Sequence, residues 1–189
     1  MNTNKPKVYF FLADGFEEVE ALCPLDLLLR AGADAVTVSI GETVTVTGTH
    51  GIAVAADMTI AELPDRCDAD MIVLPGGMPG TANLADSEKV CAYVTEQAEN
   101  GKFAAAICAA PSVLGTLGVL EGKKAVCFPG FEKYLRGAEI VNEKVVRDGN
   151  VITAVGMGAA FEFGFELVAA LFGEKTAKDL ELSSKYTLS

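Results

Sequence analysis

Residues 104–115 read AAAICAAPSVLG. Three alanines and an isoleucine run straight into Cys108, and Pro111 opens a helical pattern three residues later. The apolar run reads as a buried strand, and proline suits the first turn of a helix. Cys108 therefore falls on the corner between two elements, whereas a structural cysteine belongs inside one. A strand–turn–helix corner exposes the side chain at its apex and aims helix N–H groups at it, the nucleophile-elbow arrangement often occupied by serine. Such a helix start favours a thiolate and predicts a lowered thiol pKa. Ala106, Ala109 and Ala110 leave room for close backbone approach. A buried, inert cysteine is the plainer alternative; the corner position favours the functional one.

Outward from this corner, strand-like and helical runs alternate. Strands are predicted at 8–13 (VYFFLA), 35–40, 69–77 (ADMIVLPGG), 102–107, 124–128 (KAVCF), VVRDG and VITAVG. TVTVTG and IAVAAD read as a hairpin of shorter strands. Helices are predicted at 17–32, acidic at its start and ending on Gly32, and at 87–101, 110–118, 159–173 and about 174–182. Alternation of this kind argues for a parallel sheet covered on both faces, with the ligand site past the carboxyl ends of the strands. There is no internal repeat, low-complexity tract or linker, and 189 residues suit one domain spanning 1–189.

Three strand ends carry unusual chemistry. The first runs into DGFEEVE, the strand from 69 into PGGMPG, and the strand from 102 into Cys108. Gly76 and Gly77 leave backbone N–H groups bare and, facing Cys108, would join the Ala109 N–H in an oxyanion hole; a plain tight turn is the other reading. Glu17, Glu18 and Glu20 suit a helix start. One of them, turned into the cleft and desolvated, would gain a raised pKa and serve as general acid/base beside the thiol.

Composition limits the alternatives. The net charge is -11, with 15 Lys and Arg against 26 Asp and Glu, and no basic cluster stands out, so neither nucleic acid nor a membrane is an expected partner. VYFFLA is too short for a signal segment or a bilayer span, and a cytoplasmic location is expected. The five cysteines include no C-x-x-C, and His50 is the single histidine, so neither a disulfide framework nor a metal site is supported. No phosphate-binding or dinucleotide glycine motif occurs, and no cofactor is expected. Cys23 and Cys91 fall on predicted helices, Cys127 in a predicted strand and Cys67 in a loop, as structural cysteines do. The phenylalanines of 159–173 read as core or subunit contact.

Four segments occur in matching order and spacing: DGFEEVEALCPLDLLLRAG, VLPGGMPG, AAICAAPSVLG and ITAVGMGAAFEFGFELV. Together they resemble the DJ-1/ThiJ/PfpI superfamily, within the class I glutamine amidotransferase-like fold, and most closely its DJ-1-like clade. The resemblance covers nearly the whole chain. It implies a flavodoxin-like three-layer α/β sandwich with a mostly parallel sheet and a nucleophile elbow, usually as a homodimer. The family cysteine matches Cys108, its glutamate Glu20, and its oxyanion donors Gly77 and Ala109. Members are described as cofactor-free glyoxalases, as protein deglycases, as peroxide sensors or chaperones, and in one branch as peptidases.

These properties imply that Cys108 attacks a small 2-oxoaldehyde or its adduct, with Glu20 moving the proton. A redox sensor using the same thiol is the alternative, and a cysteine hydrolase a third. Two departures bear on the choice. Ala109 stands where peptidase members carry histidine after the cysteine, so a Cys–His dyad is missing. Phe128 stands where many members carry a further histidine, which makes the pocket more apolar. His50 matches a position where relatives often carry an arginine reaching toward a partner subunit's pocket; a solvated turn histidine is the other reading.

Overall fold

The computed structural model describes residues 5–187. In chain order the elements are β1 (Lys7–Leu12), α1 (Glu18–Ala31), β2 (Asp34–Ser39), β3 (Thr45–Thr47), β4 (Ala53–Ala55), β5 (Met58–Thr59), β6 (Met71–Leu74), α2 (Gly80–Asp86), α3 (Glu88–Glu99), β7 (Phe103–Ile107), α4 (Pro111–Thr116), β8 (Lys124–Ala125), β9 (Glu139–Ile140), β10 (Val145–Asp148), β11 (Val151–Ala154), α5 (Ala160–Phe172) and α6 (Glu174–Ser183).

The main sheet runs β10-β11-β7-β6-β1-β2-β5. Its pairings are parallel except for the β10–β11 hairpin at one edge. Counting only the five long parallel strands in chain order gives 2-1-3-4-5, the flavodoxin-like order, with its switch point between β1 and β6. The first strand goes to one side and the third to the other, so a crevice opens past their carboxyl ends.

Alternation along the strands feeds two cores. Tyr9, Phe11, Ile72, Leu74, Ala104 and Ala106 pack on one face with Tyr93 and Val94 of α3 and Leu114 of α4. Val8, Phe10, Met71, Val73, Ala105 and Ile107 pack on the other with Leu27 and Leu28 of α1 and Phe163, Leu167 and Val168 of α5. Both faces are apolar, which is why these strands read as unbroken hydrophobic runs. Phe161 is the outward-facing phenylalanine of α5 and stacks on Tyr186 at 5.5 Å. No helix among the described residues is long and apolar enough to cross a membrane.

Two expectations require correction. The predicted strand 124–128 ends at Ala125, because the Val126 N–H donates to Thr153 Oγ1 (3.0 Å) rather than to a strand backbone. Cys127 is therefore in a buried loop. β8 pairs with β9 in a small separate sheet, and the β3–β4 hairpin forms another. The predicted strand 69–77 is confined to Met71–Leu74, and α2, which the sequence analysis did not anticipate, begins at Gly80.

α1 and α5 meet through Gly164, where an added Cβ would lie 2.6 Å from Leu27 Cδ1 and 3.0 Å from Pro24 Cα. Gly164→Ala gains about 1 kcal/mol of helix propensity but must push α1 away. We expect a net loss of about 1–2 kcal/mol in denaturant unfolding; equal or greater stability would show that the two helices are not held at this separation.

Candidate active site

Cys108 follows β7 at the corner anticipated from the sequence. Its φ is 65°, and Lys185 is the one other non-glycine residue with positive φ among the described residues. The corner is held from both sides: the Cys108 N–H donates to Ala154 O (2.9 Å), and its carbonyl accepts from the Phe128 N–H (2.7 Å). The side chain is half-buried.

The three glutamates at the start of α1 separate into three roles. Glu17 is the N-cap, its Oε2 accepting from the Glu20 N–H at 2.7 Å. Glu18 is buried and bonded to His50, Oε1 accepting from the backbone N–H (2.8 Å) and Oε2 lying 2.7 Å from Nδ1. Glu20 is fully buried, and its Oε2 accepts from the Gly76 N–H at 3.0 Å. Its Oε1 is buried without a hydrogen-bond partner in the protein.

Gly76 separates the carboxyl from the cysteine. A Cβ there would stand 2.4 Å from Glu20 Oε2, 2.6 Å from Cys108 Cβ and 3.0 Å from Ile107 O. No side chain fits in that gap. Its N–H is committed to Glu20, so Gly76 holds the carboxylate and is not a free oxyanion donor as anticipated. Gly77 and Ala109 present their N–H groups to the Cys108 sulfur, where they favour the thiolate.

The loops after β1 and β6 interlock. A Cβ on Gly77 (φ 89°) would stand 2.5 Å from Gly15 O, and one on Gly80 2.6 Å from Phe16 N. The Glu17 N–H donates to Gly76 O at 2.9 Å and the Gly80 N–H to Gly15 O at 3.2 Å. Gly15 and Gly80 were missed in the sequence analysis, although the glycines of DGF and MPG were visible there as turn signals.

The electrostatics reverse one expectation. Burial, followed by the charge of Glu20 and its hydrogen bond, pushes the Cys108 thiol up to about 12, against the N–H groups of Ala109 and Gly77. The predicted lowering by the helix start is overcome by burial first and then by the Glu20 carboxyl beside the sulfur. Burial likewise pushes Glu20 up to about 7, helped by the Glu17 charge and opposed by Cys108 and by the N–H groups of Gly76 and Met157. Two neighbouring acids cannot both ionise cheaply, so the pair releases its protons in separate steps.

His50 lies in the β3–β4 turn, mostly exposed, with Glu18 as its ring partner. The hydrogen bond to Glu18 raises its pKa. Burial works to raise Glu18, but the His50 side chain and N–H hold it below the ordinary range. Glu17, Glu18 and His50 bring potential metal-ligating atoms within 4.8 Å of one another, yet the Glu18 oxygens are already committed to His50 and Glu17 to its cap. Phe128 borders the site: its Cδ2 would touch a Cβ on Gly156 at 3.3 Å, and Glu20 Oε1 lies 3.9 Å from the same point.

The raised Glu20 carboxyl links stability to pH. Its ordinary value is 4.5, so between about 4.5 and 7 the folded chain holds a proton that the unfolded chain has released. Stability is fully present below that window and falls as pH rises through it. Glu20→Gln keeps an acceptor for the Gly76 N–H and cannot ionise. We expect it to melt near wild type at pH 5 and to be more stable at pH 8 by about 2 kcal/mol; a difference independent of pH would contradict the raised carboxyl.

Comparison with known proteins places the fold and the family. The sequence model of the DJ-1/PfpI family matches residues 6–170. Protein DJ-1 homolog B of Arabidopsis thaliana is 38% identical over 182 residues, covering 95% of this chain and 41% of the relative. The chain thus spans less than half the length of that relative. A protein of Pyrococcus horikoshii named Deglycase PH1704 is 36% identical over 152 residues, 78% of this chain and 89% of that protein. Among solved structures, Toxoplasma gondii DJ-1, oxidized, superposes with a TM-score of 0.92 at 35% identity, covering 97% of this chain and all of that one. With its flavodoxin-like sheet and its cysteine on the elbow, the chain belongs to the DJ-1/PfpI family.

Proposed function

We propose that this chain is a cofactor-independent glyoxalase or deglycase-type enzyme acting on small 2-oxoaldehydes or their adducts. The observation that carries the reading is the Cys108–Glu20 pair: a thiol at a positive-φ corner and a fully buried carboxyl, divided only by Gly76. The name of the Pyrococcus relative supports the deglycase side of it.

A thiol near 12 is not ionised at neutral pH, so attack needs a base within reach, and Glu20 supplies it. The thiol proton passes to the Glu20 carboxylate as the sulfur electron pair forms a C–S bond to the aldehyde carbon. The carbonyl π pair moves to oxygen, where the N–H groups of Gly77 and Ala109 receive the charge, and Glu20 returns the proton to give a hemithioacetal. Glu20 then removes the C–H proton from that carbon. The freed pair forms a C=C bond as the π pair of the second carbonyl moves to its oxygen, the hydroxyl proton shifts to that oxygen, and the C=O of the first carbon re-forms as the C=C pair takes the proton of Glu20 at the second carbon. A thioester results, in which the first carbon is oxidised by two electrons and the second reduced by two. Water adds to the thioester, the C–S bond breaks, and a hydroxy acid leaves with the thiol restored. An aminocarbinol adduct enters the same sequence once its amine has departed.

The second reading, a peroxide sensor, is favoured by one observation: the buried Glu20 Oε1 has no partner in the protein. Two equivalents of peroxide would convert the thiol to a sulfinate with release of two waters, and a protonated Glu20 would donate to one sulfinate oxygen. The expected homodimer has its own support in Val19, Leu22 and Leu29, exposed apolar residues along α1.

Methylglyoxal consumption with lactate detection, without glutathione, tests the first reading. We expect Cys108→Ala to abolish turnover and Glu20→Gln to lower it by about 10²-fold or more. The wild-type kcat/KM should rise with pH to a plateau through about 7, as Glu20 loses its proton. A fully active Cys108→Ala protein would overturn the proposal. Absence of turnover in every protein, with selective gain of two oxygens at Cys108 under mild peroxide, would favour the sensor.

A further inference from the structure

The start of α1 carries half of a capping box. In the full motif the N-cap side chain accepts from the N–H three residues on, and a glutamate at that position reaches back to the N-cap N–H. Glu17 makes the first bond, its Oε2 accepting from the Glu20 N–H at 2.7 Å. Glu20 does not make the second. Gly76 is inserted instead: its N–H donates to Glu20 Oε2 (3.0 Å), and its carbonyl accepts from the Glu17 N–H (2.9 Å). The three bonds close a ring through Glu17, Glu20 and Gly76. Opening the box in this way turns the Glu20 carboxyl from its own helix end toward Cys108, whose Cβ a side chain on Gly76 would strike.

The cap residue itself is uncommon. Serine, threonine, aspartate and asparagine are the usual N-caps, and a neutral hydroxyl would satisfy the Glu20 N–H. Glutamate adds a half-buried charge on the same turn of helix as the fully buried Glu20. The other groups around Glu20 do not cancel it. The elbow brings Cys108, a second acid, and the segments at Gly76 and Met157 bring only N–H groups. On the hairpin side, His50 is bonded to Glu18 at 2.7 Å, so the nearby imidazole is already engaged. The Glu17 charge therefore opposes ionisation of its neighbour.

We infer that Glu17 is a positioning residue for the pair: its charged carboxylate aligns Glu20 with Cys108 and sets the pH at which Glu20 gives up its proton. The consequence for turnover rests on the glyoxalase-type reading; the titration of Glu20 does not. A base that ionises later is a stronger base for the thiol, and the ring through Gly76 keeps it in place while it is protonated.

Glu17→Ser and Glu17→Asp separate the hydrogen bond from the charge, because both residues are good caps and only aspartate is ionised. Glu17→Gln, which keeps a carbonyl oxygen at full side-chain length, repeats the neutral arm. The Glu20 carboxyl carbon is followed by ¹³C NMR across the neutral range, its resonance identified by its loss in Glu20→Gln. We expect the midpoint to fall by about half a pH unit or more in Glu17→Ser and Glu17→Gln, and to stay near wild type in Glu17→Asp. In methylglyoxal turnover, kcat/KM at pH 6, taken relative to each protein's own plateau, should rise about two- to threefold in the neutral variants. Midpoints that coincide in wild type and both neutral variants overturn the inference. So does an equal fall in Glu17→Asp and the neutral variants, which would mark lost cap geometry rather than lost charge. If no protein consumes methylglyoxal while the midpoints separate as expected, the reaction reading fails and the role of Glu17 stands.

Discussion

Contact between a buried carboxyl and a cysteine, across a residue with no side chain, is the constraint around which this end of the molecule is built. Glu20 is fully buried, and its Oε2 accepts a hydrogen bond from the Gly76 N–H. Any Cβ at Gly76 would strike Glu20 Oε2 and Cys108 Cβ together. The loop after β6 must therefore pass between α1 and the elbow as bare backbone. That closeness also forces the loops after β1 and β6 to interlock through Gly15, Gly77 and Gly80. The switch in strand order between β1 and β6 gives the space for this, since helices leave those two strands on opposite faces of the sheet.

Two local costs are absorbed by the same arrangement. Cysteine in the left-handed region costs about 1–3 kcal/mol, and the corner is retained because its N–H and C=O are both fixed by neighbouring backbone. A carboxyl without solvent would be costly if it stayed ionised. It responds by holding its proton up to about pH 7, so the cost of ionisation is deferred to neutral pH and above. Strain at the thiol and desolvation at the acid thus meet at one point, and α1 and α5, packed through Gly164, supply the surrounding rigidity.

Some of this was legible in the residues and some was not. The alternation of strands and helices, the elbow at Cys108 and the hairpin TVTVTG/IAVAAD are local patterns, and local patterns survive folding. α2 was missed because its start lies in PGGMPG, where proline and glycine read as turn. The strand from 124 was drawn too long because the partner of the Val126 N–H is the side chain of Thr153, which no periodicity reports. Gly76 and Gly77 are identical neighbours in sequence, and only packing assigns one to the carboxylate and the other to the sulfur. The direction of the Cys108 shift was misread for a similar reason: the helix start is local, whereas the burial that outweighs it, and the Glu20 carboxyl that adds to it, come from segments distant in the chain. The pairing of His50 with Glu18, in a gap kept open by Gly48, was equally out of reach.

Charge then narrows what can approach the pair. The titratable groups acting most strongly on Cys108 and Glu20 are each other and Glu17, all of them acidic. The chain carries 26 acidic against 15 basic residues, and its overall field repels anions. A site of this kind cannot recruit its substrate through a carboxylate or a phosphate, and around it stand Met78, Phe128 and Met157 rather than cations. On the proposed reaction, recognition is left to apolar contact and to the N–H groups of Gly77 and Ala109, which would bind oxygen best once it has gained charge in the addition step. The proposed neutral electrophile needs no ionic anchor. In the proposed reaction the substrate enters uncharged, the charge appears only on the oxygen being formed, and the acidic surroundings that exclude anions also favour release of an anionic product.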